Sequence, residues 1–126
     1  MIVEIGKLEI DPTRLPLDSE GGNPYYHSPH LFVVQNLKDD AGELRLRIYV
    51  CLDTFHPGVQ RNFHLERKTI SGGGSCYTDS KKELVVGSHS GTYGTVDPAY
   101  RAQFAALIAD VLRAQGVEIT GSRGED

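Results

Sequence analysis

An α+β fold, a mostly antiparallel or mixed sheet of about six strands packed by a C-terminal helix, is what these 126 residues predict. Three observations carry that expectation. Leu44, Leu46, Ile48, Val50 and Leu52 alternate with Arg45, Arg47, Tyr49 and Cys51, the period of a strand with one face on a core. Tyr100, Phe104, Leu107, Ile108, Val111 and Leu112 recur at helical spacing behind Asp97-Pro98, a good N-cap and first helical residue, with Gly116 placed to end the helix. Several further strand-like runs, separated by Gly, Pro and Asp turns, precede this helix.

In chain order, the first strand is expected over 2–10 and ends at Asp11-Pro12. Residues 14–29 form a long loop carrying Tyr25, Tyr26, His27 and nearby His30. The second strand spans 31–37; Leu31-Phe32-Val33-Val34 is apolar throughout, as for a strand covered on both faces. A hairpin connection over 38–42 leads to the third strand, 43–52. Residues 59–62 are either a turn or one turn of helix, and 63–70 alternate as a strand. Residues 75–78 and 83–87 read as a hairpin, and 117–120 as a short last strand. Length and composition give a single domain over 1–120, with 121–126 a polar tail expected to be disordered.

Composition narrows the function. A net charge of −4 argues against a protein held by nucleic-acid phosphates, so no nucleic-acid partner is expected. No apolar run approaches a membrane span, and the first residues lack the pattern of a signal peptide, so a cytoplasmic protein without a membrane partner is expected. Cys51 and Cys76 are too few and too unlike in context for a disulfide framework or a zinc site.

The stretch 72–94 carries the densest functional signal. It opens on Gly72-Gly73-Gly74 and closes on a loop containing Gly87, Gly91 and Gly94 among Ser88, His89, Ser90 and Thr92. Amides of a glycine-rich loop can cradle a phosphate or carboxylate; glycines that merely make tight turns are the plainer account. Among five histidines, His56 stands where a strand ends and Pro57-Gly58 begins, a support suited to a functional side chain. His64 falls beside Glu66 and Lys68, a pattern that also fits a solvated strand face. The His27-x-x-His30 spacing is too little to define a metal site.

The order of these features resembles the Janus/Ocnus family, which includes the small phosphohistidine phosphatase of animals. The resemblance rests on Gly72-Gly73-Gly74, the turn Asp79-Ser80-Lys81-Lys82, and the loop from Gly87-Ser88-His89-Ser90 to Gly91-Thr92-Tyr93-Gly94, followed by a helix and a last strand. It covers residues 72–120, with weaker correspondence at the second and third strands. It implies a phosphate bound by the Ser90 hydroxyl and the amides of Gly91 and Thr92. It also implies a catalytic histidine preceded by an aromatic residue: Phe55-His56 first, Phe63-His64 second. The chain departs from the pattern at Ser75, where the family has arginine, and at His30, where it has lysine. Arg61, Arg67 or His30 could replace those cations. The family's full helix after its catalytic histidine also has no counterpart of equal length here. The implied function is a metal-free and cofactor-free phosphohydrolase acting on a phosphorylated protein or small phosphate ligand. The alternative is a non-catalytic anion- or protein-binding module of the same fold.

Overall fold

The computed structural model describes residues 1–16, 29–87 and 93–125. Six strands form one mixed sheet: β1 Ile2–Leu8, β2 His30–Lys38, β3 Leu44–Leu52, β4 Ile70–Thr78, β5 Glu83–Val86 and β6 Gly121–Gly124. Their order across the sheet is β1-β3-β2-β4-β5-β6. The inner pairs β3/β2, β2/β4 and β4/β5 are antiparallel, while the edge strands β1 and β6 run parallel to β3 and β5. Two helices, α1 His56–Asn62 and α2 Pro98–Ala114, complete the described fold. Neither is long and apolar enough to cross a membrane.

Alternation along β2 explains its apolar run. Phe32 and Val34 pack with Leu46, Ile48 and Val50 of β3 and with Phe104, Ala105, Ile108, Ala109 and Leu112 of α2. Leu31 and Val33 point the other way, into a second cluster with Cys51, Ile70, Tyr93 and Val59 of α1. The central strand is thus covered on both faces, and all four of these side chains are at most 1% exposed. Burying each such side chain contributes about 1.5–3 kcal/mol, which makes β2 the spine of the molecule. Cys51 and Cys76 are both free and lie in opposite clusters.

Local chemistry sets the turns and caps. Asp39 Oδ1 accepts the amides of Ala41 and Glu43, and Asp79 Oδ1 accepts those of Lys81 and Glu83, so the two hairpins close on the same aspartate device. Asp97 caps α2 by accepting the Ala99 amide at 2.9 Å. Gly116 follows the helix with φ +86°, the left-handed position expected of it.

Three expectations need correction. Residues 63–70 are not a strand: α1 runs to Asn62, His64 adopts φ +56°, and a 3-10 turn at Arg67–Thr69 precedes β4. Phe63 and Leu65 alternate because both pack partly against the α1-side cluster from an irregular backbone. The triple glycine lies inside β4 rather than in a loop. Gly74 stands opposite Phe32 in register, and a Cβ there would overlap the Gly87 carbonyl and press on the Phe32 ring. Finally, 117–120 is not the last strand and the chain beyond it is not a loose tail. Gly121–Gly124 pairs with β5, and the Glu125 amide donates to the Val86 carbonyl at 3.0 Å.

Candidate active site around His56

Helix α1 exists because the chain is turned sharply after β3. Asp53 Oδ1 accepts the amides of Thr54 (2.7 Å) and Phe55 (3.1 Å), and Pro57 sits in the first helical turn where its missing N–H costs nothing. His56 is the first helical residue and is only 6% exposed. Its Nε2 lies 2.9 Å from the carbonyl oxygen of Gly74. A carbonyl only accepts, so Nε2 carries the proton and donates, and the lone pair of the neutral ring is on Nδ1.

Three consecutive residues of β4 organise this region. The Gly73 amide donates to the Gly94 carbonyl at 3.2 Å, Gly74 holds His56, and the Ser75 carbonyl accepts the Gly87 amide at 2.7 Å. Both flanks of the stretch from Gly87 to Gly94 are therefore tied to the strand segment that seats the histidine. Ser75 is itself buried, on the same face as its cross-strand neighbour Leu31.

Tyr93 closes the group. Its ring centroid is 6.5 Å from that of His56, with the planes nearly perpendicular. Its hydroxyl donates to Gln60 Oε1 of α1. The Arg67 guanidinium carbon lies 4.5 Å from the Tyr93 ring centroid, a cation–π stack. Burial pushes the Tyr93 phenol pKa up, against the opposing pull of Arg67 and Arg61. Neither arginine makes an ion pair with a described residue.

The predicted site residues fare differently. His56 is at the centre. His64 is exposed, beyond the end of α1, in a left-handed backbone conformation. His30 does not join His56. It stands opposite Cys76 in register, on the α2 face of the sheet, and its Nε2 accepts the Asp11 amide at 2.9 Å. Burial drives its pKa down to about 4, so at neutral pH it is uncharged and cannot stand in for a lysine. Ser90, Gly91 and Thr92 lie outside the described residues, as do Tyr25, Tyr26, His27 and His89. Gln60 and Tyr93 were not singled out by sequence. Gln60 carried no signal while α1 was unassigned, whereas Tyr93 had one, an aromatic within the glycine-rich stretch. Comparison of the chain with protein-family models, curated proteins and solved structures finds no match.

Proposed function

We propose that the protein is a phosphohydrolase resembling protein-histidine phosphatases, with His56 as nucleophile or general base and residues 88–94 as the phosphate cradle. The supporting observation is the convergence on Gly73-Gly74-Ser75, where one strand segment seats His56 and anchors both flanks of the glycine-rich stretch. In this reading the Ser90 hydroxyl and the amides of Gly91 and Thr92 hold the phosphate oxygens, and Arg61 and Arg67 supply the positive charge that Ser75 and neutral His30 do not. As nucleophile, Nδ1 attacks phosphorus in line, the bond from phosphorus to the leaving nitrogen or oxygen breaks, and water then cleaves the phosphoryl-imidazole. As general base, Nδ1 instead takes a proton from the attacking water. The substrate is a phosphorylated protein or a small phosphate ligand.

One observation favours a second reading, a binding module without turnover: the two positions where the resembled family carries Arg and Lys hold Ser75 and an uncharged His30. Phosphate release from a phosphohistidine peptide, with chelator present, separates the two. The native chain is expected to turn over, His56→Ala to lose at least about 100-fold, and His64→Ala to behave as native. A native chain that releases nothing at high enzyme concentration would overturn the enzymatic reading and leave the binding one.

A further inference from the structure

We propose that residues 11–16 form an acid-released latch, held against the sheet by a hydrogen bond whose polarity His30 reverses on protonation. The device is separate from the chemistry proposed at His56. Asp11 opens the 3-10 turn Pro12–Arg14, and its carboxylate accepts the Thr13 amide at 3.0 Å and the Thr13 hydroxyl at 2.7 Å. The Arg14 amide donates to the Asp11 carbonyl at 3.0 Å. These bonds are internal, so the turn can move as a unit. It is fastened to the body of the protein by the Asp11 amide, which donates to His30 Nε2 at 2.9 Å, and by the Leu15 carbonyl, which accepts the Thr78 amide at 2.9 Å. The Leu15 side chain, 2% exposed in the α2-side cluster, adds an apolar anchor, while Pro12, Thr13, Arg14 and Pro16 are exposed.

His30 can hold that amide only while it is neutral. Its Nε2 then offers a lone pair; once the ring is protonated both nitrogens carry hydrogens, and an N–H faces an N–H. The ring is 1% exposed and its Nδ1 has no hydrogen-bond partner among the described residues, so the new charge would also be buried without compensation. Its surroundings supply little. In register His30 stands between Leu52 of β3 and Cys76 of β4. Burial pushes the Cys76 thiol up to about 12, so it is neutral, and Leu15, Val50 and Leu112 of the cluster on that face carry no charge. Burial dominates the ring and brings its pKa to about 4; the Asp11 carboxylate pulls it upward and Arg14 pushes it further down. Undocking the turn removes the opposed donors and opens the charged ring to water. Strand β1 stays in place through its pairing with β3 and through the Glu9 amide, which donates to the Val50 carbonyl at 2.9 Å. What the release uncovers is the Thr78 amide of β4 and the core position of Leu15.

Backbone-amide and histidine-ring NMR of the full chain, titrated from about pH 7 to about pH 3.5, tests this. The Asp11, Thr13, Arg14, Leu15 and Thr78 amide resonances are expected to leave their native positions together, with a midpoint near pH 4 shared by the His30 ring, while those of β2 and β3 keep theirs. His30→Gln does not titrate, and its side-chain oxygen can accept the Asp11 amide, so this variant should keep the turn docked over the whole range. The variant also separates His30 from Asp11, whose bonds to Thr13 hold its carboxyl below the ordinary range. Loss of all native resonances in one step, or a turn that stays docked on a protonated His30, would overturn the proposal. So would a His30→Gln chain that releases the turn at the same pH as the native one. The native titration decides the first two outcomes whether or not the variant folds.

Discussion

His56 and His30 are both buried, yet their hydrogen bonds fix opposite protons. His56 donates from Nε2 to a carbonyl, so its lone pair is on Nδ1. His30 accepts at Nε2 from the Asp11 amide, so its proton is on Nδ1, which has no hydrogen-bond partner among the described residues. Protonating His30 would break the Asp11 bond and bury a charge, and its pKa falls from 6.5 to about 4. A folded-state pKa below the unfolded one stabilises the native chain fully above about pH 6.5, and that contribution is lost as the pH falls through about 4. The loss is on the order of 3 kcal/mol. Urea titrations at pH 7 and pH 4 should show a midpoint drop that His30→Gln reduces; an unchanged drop in the variant would show that other groups drive the acid response. Nothing in the sequence separates these histidines by face. The register of β2 against β4 does so, and register is a property of the pairing.

At the scale of elements, β4 carries the most consequences. Its glycines let the Gly87 carbonyl and the Phe32 ring approach the backbone on one side while His56 docks on the Gly74 carbonyl. Gly74→Ala should therefore cost about 2 kcal/mol or more, measured by chemical denaturation, and should depress turnover by displacing the histidine's acceptor. A variant as stable as the native chain would mean that the close approach is relieved cheaply. The elements legible in the sequence were those whose pattern matches their own burial: β2, β3 and the capped α2. Those left undecided or misplaced were shaped from outside. Helix α1 begins His56-Pro57-Gly58, poor in helix formers, and is made by the Asp53 turn and by Val59 packing beneath β2 and β3. Strand β6 reads Gly-Ser-Arg-Gly, with no strand signature, and is extended because β5 pairs with it and α2 packs beside it.

For the whole molecule, the C-terminal strand sits at 121–124 instead of 117–120 and ties the end of the chain to the base of the candidate site. Glu125 accepts the Tyr77 hydroxyl at 2.9 Å and its amide holds Val86, the residue before Gly87. Removing residues 121–126 should lower the melting temperature by more than about 5 °C, since it deletes a strand and exposes the β5 edge. An unchanged melting temperature is what a disordered tail would give. The glycine-rich signal at 72–94 was legible as a region, but its division was not, because its opening glycines belong to the buried strand β4. On the proposed phosphatase reading, this architecture presents the Nδ1 atom of His56 to a phosphate. The most direct measurement is the nitrogen chemical shifts of the histidine side chains by NMR, with and without added phosphate. The expected result is a proton on His56 Nε2 at neutral pH and an Nδ1 resonance that moves on titration while those of His64 stay fixed. A proton on Nδ1 in the neutral ring, or a His56 indifferent to phosphate, would contradict the account.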